Sequence, residues 1–176
     1  MNYKELIDEM ECLLLDNKAV ITILSNSSAL LYERMENLNW VGFYLLKDDT
    51  LYLGPFQGKT ACIEIKVGKG VCGTCIKEGK TIIENDVLSC KNHIECESNS
   101  RAEICIPLFI NKEIYGLLDI DAPIKNRFDQ NDKENLEKIV KIIEKNISKV
   151  NNKKIVWQIF IYLIKYHSVS KRQQLI

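Results

Sequence analysis

Three of the seven cysteines lie in segments that suit sulfur chemistry. Cys62 ends the string GPFQGKTAC, Cys72 follows the Gly-Lys-Gly turn of GKGVCG, and Cys96 lies in the polar string HIECES. A thiolate forms more readily near a helix start or beside an imidazolium, and it then acts as a nucleophile. The other four have apolar or ordinary neighbours, where a buried thiol behaves as a small hydrophobic group. These four are Cys12, Cys75, Cys90 and Cys105.

Three acidic residues in predicted strands are candidates for proton donation or for binding a cation. Asp119 and Asp121 are two residues apart in an apolar strand, so their carboxyl groups share one face, about 7 Å apart. Glu103 is a lone acid near the start of a second apolar strand. Burial and like charge raise a carboxyl pKa, which keeps the acid protonated near neutral pH. A substrate ammonium group is an equally good reason for such acids, and solvated strand faces are the structural alternative.

Two aromatic residues share a face of the first predicted strand. Trp40 and Tyr44 lie on the same side, with Gly42 leaving room between them. They are candidates for the apolar wall of a binding site, and an ordinary hydrophobic core is the alternative.

A structural zinc site is a rival interpretation of the cysteines. The chain offers Cys72-x-x-Cys75 followed by Cys90-x-x-His93-x-x-Cys96, at spacings that suit zinc. Cys75 argues against it, because that residue falls in a predicted helix that would have to unwind. We therefore expect no metal.

Charge and composition narrow the class of partner. Twenty-four basic residues balance 24 acidic ones, so no overall field favours nucleic acid or an anionic membrane. The odd number of cysteines and the charged, amphipathic N-terminus without a signal peptide predict a cytoplasmic protein. The apolar run 155–164 has about half the length of a membrane-spanning helix, and we expect it to pack on the domain. A small neutral or zwitterionic ligand fits best.

Hydrophobic periodicity predicts helices at both ends of the domain and strands between them. Helices are predicted over 3–15, 18–36, 71–77 and 131–150, and strands over 40–45, 51–53, 61–66, 81–83, 102–109 and 113–121. Gly54-Pro55 is expected to end the second strand, and Asn111-Lys112 to join the last two in a hairpin. The polar segment 84–101 is predicted to be a loop. The pattern indicates an α+β sandwich around an antiparallel sheet.

Six segments resemble, in this order, the free methionine-(R)-sulfoxide reductases, a catalytic branch of the GAF-domain family: NWVGFYLL, LGPFQGKTACIEI, GKGVCGTC, HIECES, AEICIPL and GLLDIDAP. The resemblance assigns residues 1–150 to a GAF-like catalytic domain and leaves 151–176 as a C-terminal extension of unknown role. It implies about six antiparallel strands flanked by helices, a site over one face of the sheet, and homodimers. A GAF module that senses a small ligand without turnover is the alternative.

The resemblance also implies a cysteine mechanism. Cys96 matches the cysteine that attacks free L-methionine-(R)-sulfoxide and becomes a sulfenic acid. Cys62 and Cys72 match cysteines that condense with that sulfenic acid to a disulfide, and either order is open. Thioredoxin or a similar dithiol then reduces the disulfide, so no cofactor is implied.

Substrate-binding roles follow from the same resemblance. Glu103, Asp119 and Asp121 match acids that hold the substrate's amino group and assist at the sulfoxide oxygen. Trp40 and Tyr44 match the aromatic wall around its methylsulfinyl end.

Overall fold

The computed structural model describes residues 1–89 and 100–173, and of residues 152–173 it describes only the backbone. Its strands are β1 Trp40–Lys47, β2 Thr50–Gly58, β3 Glu64–Lys66, β4 Ile82–Glu84, β5 Ala102–Ile110 and β6 Glu113–Ala122. Its helices are α1 Tyr3–Leu13, α2 Val20–Arg34, α3 Gly70–Glu78 and α4 Gln130–Gln173, with a 3₁₀ turn at Val87–Ser89. The strands form one antiparallel sheet in the order β3-β2-β1-β6-β5-β4. The predicted α+β class with six antiparallel strands is confirmed.

Strand alternation divides the interior into two hydrophobic clusters, one on each face of the sheet. Val41 and Phe43 of β1 pack with α1, α2 and α4 in the larger cluster. Trp40 and Tyr44 of the same strand pack in the smaller cluster with α3. The α3 face therefore carries the aromatic residues that the sequence singled out.

The second strand is longer than predicted, because Gly54-Pro55 does not end it. Tyr44 pairs with Leu53 and Gly42 pairs with Phe56, so Gly54 and Pro55 together lie opposite a single residue of β1. This arrangement is a β-bulge, where proline's missing N–H does not interrupt the ladder.

The third strand is shorter than predicted and begins only at Glu64. The preceding segment leaves the ladder at Cys62, whose carbonyl accepts a hydrogen bond from the Tyr44 hydroxyl. The hairpin between β5 and β6 is confirmed. Asn111 and Lys112 both have left-handed backbone angles, with φ of 54° and 70°, as a type I′ turn requires.

The last helix begins one residue before the predicted start and continues well beyond residue 150. Asp129 accepts a hydrogen bond from the Asp132 amide, and the Asp132 side chain accepts one from the Asp129 amide, so the two cap the helix reciprocally. Its predicted apolar stripe is buried, at Leu136, Ile139, Val140, Ile143 and Ile147. Residue 150 is thus not the end of an element, and the boundary between domain and extension stays a prediction.

The apolar run 155–164 lies where only the backbone is described, so its packing stays a prediction. Among the described residues, no helix combines the length and hydropathy needed to cross a membrane.

Candidate active site

The aromatic wall is built by β1 and β2. The Trp40 ring stacks on Tyr44 at a centroid distance of 5.9 Å and on Phe56 at 5.3 Å. Gly42 is required between them, because a Cβ there would lie 2.4 Å from the Trp40 ring and 2.4 Å from the Cβ of Phe56. Any larger residue would push this stack apart.

The same two rings anchor the segment that carries Cys62. The Trp40 indole N–H donates to the carbonyl of Lys59 at 3.1 Å, and the Tyr44 hydroxyl donates to the carbonyl of Cys62 at 3.0 Å. Cys62 is half-buried and is disulfide-bonded. Polar ends of otherwise buried aromatic rings thus fix the position of the segment that carries the disulfide-bonded Cys62.

The three predicted acids meet on the α3 face. Glu103 of β5 lies directly opposite Asp121 of β6, and Cys105 lies opposite Asp119. Across the other edge of β6, Asp121 pairs with Trp40. All three carboxyl groups are buried, with 6% to 9% of each residue exposed. The register therefore brings the acids beside the aromatic wall.

Burial raises the pKa of two of these acids, Glu103 and Asp119. Burial, followed by the charge of Asp121, raises the pKa of Glu103 from 4.5 to about 8. Burial and then the charge of Glu103 raise the pKa of Asp119 well above its ordinary value. Within the part of the chain that the structure describes, no salt bridge reaches Glu103 or Asp119. The cluster can therefore donate a proton near neutral pH, or it can accept a cationic group.

Cys72 lies at the start of α3 and points into this cluster. Its Sγ is 3.5 Å from Glu103 Oε1 and 3.5 Å from the Sγ of Cys105. The hydrogen bond from Cys105 lowers the pKa of Cys72, but burial and the charges of Asp119 and Glu103 outweigh it, and the net pKa is raised. The helix start therefore does not lower the net pKa of Cys72, contrary to the expectation from its position in sequence. Desolvation beside acids outweighs the helix dipole.

The chain matches the family model described as "GAF domain" over residues 28–148. It is 43% identical over 152 residues to the "Free methionine-R-sulfoxide reductase" of Escherichia coli, covering 86% of this chain and 92% of that protein. The Saccharomyces cerevisiae protein of the same name is 43% identical over 131 residues, covering 70% of this chain and 73% of that one. The chain belongs to the free methionine-R-sulfoxide reductases of the GAF-domain family. The family resemblance and the GAF-like fold predicted from the sequence are confirmed.

Solved structures agree with this family. The "fRMsr of Staphylococcus aureus (complex with substrate)" is 53% identical, with a TM-score of 0.79, covering 82% of this chain and 95% of that one. A free methionine-R-sulfoxide reductase from Neisseria meningitidis, also "in complex with its substrate", is 37% identical with a TM-score of 0.83, covering 86% and 91%.

Not every predicted residue of this reductase falls within the described structure. The predicted nucleophile Cys96 lies in 90–99, outside the described residues, and so do Cys90 and His93 of the zinc alternative. The two remaining residues of that alternative, Cys72 and Cys75, are free and buried.

A different set of side chains in the reductase is suited to hold a metal ion. Sulfur or oxygen atoms of Cys72, Glu103, Cys105 and Asp119 all lie within 4.8 Å of one another, and all four residues are buried. Thiols and carboxyl groups together are ligands typical of zinc. This set shares only Cys72 with the zinc site considered from the sequence.

Cys105 is the residue of this site that the sequence reasoning missed. Its Sγ lies 3.1 Å from Glu103 Oε1 and 3.5 Å from Asp119 Oδ1, at the centre of the acid cluster. Its apolar neighbours in sequence placed it among the inert cysteines. The signal was nonetheless present, because a residue two positions after Glu103 in a strand shares its face.

Proposed function

We propose that this protein reduces free L-methionine-(R)-sulfoxide to L-methionine, with Cys96 as the nucleophile and Cys62 as the cysteine that resolves the oxidised enzyme. The observation that carries the proposal is a set of buried carboxyl groups on the same sheet face as two stacked aromatic rings. A free amino acid with an apolar, sulfur-containing side chain offers a matching ammonium group and a matching apolar end. The family relationship supports the same substrate.

The acids have two tasks in this mechanism. A carboxylate beside the ammonium group stabilises it, because opposite charges favour the ionised form of both partners. A neighbouring carboxyl group that stays protonated then delivers a proton to the sulfoxide oxygen. Glu103, Asp119 and Asp121 share these tasks, and the raised pKa values of Glu103 and Asp119 suit proton donation.

The sulfur steps balance without a cofactor. The Cys96 thiolate attacks the sulfoxide sulfur, methionine leaves, and the sulfoxide oxygen remains on Cys96 as a sulfenic acid. The Cys62 thiol attacks that sulfenic acid, a disulfide forms, and water leaves. The disulfide at Cys62, together with free thiols at Cys12, Cys72, Cys75 and Cys105, leaves Cys90 and Cys96 as candidate partners. The family resemblance favours Cys96.

Regeneration requires an external dithiol such as thioredoxin, which reduces the disulfide by exchange. Such a dithiol is maintained in a reducing compartment, and we propose the cytoplasm. We expect the homodimer that the family resemblance implies, and light scattering of the purified protein tests it.

Turnover with chiral analysis tests the proposed function. Incubation with racemic free methionine sulfoxide and a dithiol should consume the R epimer only, whereas a methionine sulfoxide within a peptide should persist. Cys96→Ser should abolish turnover, and the matched control Cys12→Ser, at an exposed cysteine of α1, should retain it. Full activity of Cys96→Ser would refute the nucleophile, and binding without any turnover would favour a ligand-sensing module.

A further inference from the structure

Two thiols that this mechanism does not use lie side by side at the centre of the acid cluster. Cys72 in the first turn of α3 and Cys105 in the middle of β5 have sulfur atoms 3.5 Å apart, and both are free. Both are buried, with 3% and 0% of the residue exposed. A disulfide requires sulfurs about 2.05 Å apart, so about 1.5 Å of approach would join them. The two thiols form a dithiol already assembled by the fold.

A proton acceptor lies against both thiols. Oε1 of Glu103 is 3.1 Å from the sulfur of Cys105 and 3.5 Å from that of Cys72, and each thiol donates to it. Disulfide exchange requires that the attacking thiol lose its proton, and Oε1 of Glu103 is the oxygen that both thiols face. Asp119, 3.5 Å from Cys105, is the second carboxyl group in contact with the pair.

The dithiol also lies beside the segment that forms the catalytic disulfide. Cys62 packs against the hydrophobic cluster that contains Cys72, Cys105 and Tyr44. The Tyr44 hydroxyl holds the carbonyl of Cys62, and Tyr44 belongs to that same cluster. The anchored Cys62 segment and the dithiol therefore lie on the same side of the sheet.

We propose that Cys72 and Cys105 act as an internal dithiol that reduces the catalytic disulfide and carries the oxidising equivalents to a second disulfide, Cys72–Cys105. This step rests on the proposed function, which supplies the disulfide at Cys62. The Cys72 thiolate attacks that disulfide and forms a mixed disulfide, and the released thiolate takes up a proton. The Cys105 thiolate then attacks the Cys72 sulfur and releases the second thiol. One disulfide replaces another, and no further oxidant or reductant is consumed.

An internal dithiol increases the number of methionine molecules that one chain can form in the absence of external reductant. Each sulfoxide consumes two thiols and yields methionine, one disulfide and water. A reduced chain with only the Cys62 and Cys96 thiols makes one methionine. A chain whose second dithiol regenerates the first makes two. The second methionine should form after the first, because the two exchange steps must precede it.

Counting methionine in a single-batch reaction tests this directly. The fully reduced protein, freed of reductant under anaerobic conditions, is mixed with excess free methionine-(R)-sulfoxide, and methionine and disulfide-linked peptides are measured by mass spectrometry. We expect two equivalents from the native chain, together with a peptide linked through Cys72 and Cys105. Cys105→Ala should give at most one equivalent, and the matched control Cys75→Ala, which removes a buried thiol of α3 outside the pair, should give two.

The outcomes separate this inference from the proposed function. No methionine from the native chain would overturn the proposed function itself. One equivalent, without the Cys72–Cys105 peptide, would overturn only the internal dithiol, and so would two equivalents from Cys105→Ala. Cys105→Val fills the space of the lost sulfur and repeats the test, and circular dichroism of both variants shows that they are folded.

Discussion

Replacing Glu103 by glutamine should change how the stability of the protein depends on pH. The folded state holds the pKa of Glu103 at about 8, whereas the ordinary value is 4.5. Between these two pH values the folded state keeps the proton and the unfolded chain releases it. Because the folded state then binds more protons, the free energy of unfolding falls as pH rises. Glutamine cannot ionise, so the variant loses this contribution.

The size of the effect follows from the two pKa values. One pKa unit corresponds to about 1.36 kcal/mol, so a group titrating at 4.5 when unfolded and about 8 when folded costs roughly 3–4 kcal/mol of stability between pH 5 and pH 8. The residue is 7% exposed, so solvent screens little of this cost. Asp119 also titrates at raised pH and shares the proton, which makes this figure an upper bound. Relative to the native chain, Glu103→Gln should gain up to that amount of stability over the interval.

Urea unfolding followed by far-ultraviolet circular dichroism measures this difference. Transitions are recorded at half-unit steps from pH 5 to pH 8, with a phosphine reductant present so that no disulfide contributes. The matched control is Glu113→Gln, at an exposed residue that begins β6, and its curve should run parallel to that of the native chain. If the difference between Glu103→Gln and the native chain stayed constant within about 0.5 kcal/mol, the burial argument would be refuted.

Four further outcomes follow from the same geometry. Gly42→Ala should destabilise the fold by about 1–3 kcal/mol through overpacking, because its Cβ would lie 2.4 Å from the Trp40 ring. It should also raise the KM relative to the native chain. Unchanged stability and KM would contradict the close packing. Tyr44→Phe removes the hydrogen bond to the Cys62 carbonyl, so it should slow disulfide formation more than the first release of methionine. Quenched-flow mass mapping measures both steps. Equal slowing of the two would contradict this anchoring role. Methionine binding should release protons at pH 7, because an ammonium group lowers the raised pKa values of Glu103 and Asp119. Calorimetry in two buffers of different ionisation enthalpy gives the number of protons released. Net proton uptake would contradict the binding of the ammonium group by these acids. A chain ending at residue 150 should keep its fold and turnover, because the family match ends at residue 148, and loss of cooperative unfolding would show that the extension is part of the domain.

Much of the site was predictable because strands have a period of two. Asp119 and Asp121 could be placed on one face from their spacing alone, and their strand was the clearest in the chain. Trp40 and Tyr44 followed from the same rule on β1, with the small Gly42 between them. Pairing between strands then had to bring these faces together, and the hairpin turn at Asn111-Lys112 fixed one of the registers.

Other features depended on tertiary contacts that no local pattern expresses. The bulge at Gly54-Pro55 arises from pairing with β1. In the sequence alone, the same Gly-Pro pair predicts the end of a strand. Cys105 has apolar neighbours in sequence, and its chemistry becomes visible only when α3 brings Cys72 within 3.5 Å. The raised Cys72 pKa likewise depends on acids that come from two distant strands.

The distribution of polar groups between the two faces connects stability with substrate choice. On the α1, α2 and α4 face, the strands contribute an apolar cluster. The α3 face instead buries Glu103 and Asp119, which are acids without a salt bridge among the described residues. Burying them lowers the stability of the fold, because an ionised carboxylate in the interior needs a compensating charge. A ligand that supplies an ammonium group recovers part of that free energy on binding, whereas the uncharged backbone amide of a methionine within a protein does not. The free-energy cost of burying these acids thus favours binding of a free amino acid over binding of a peptide.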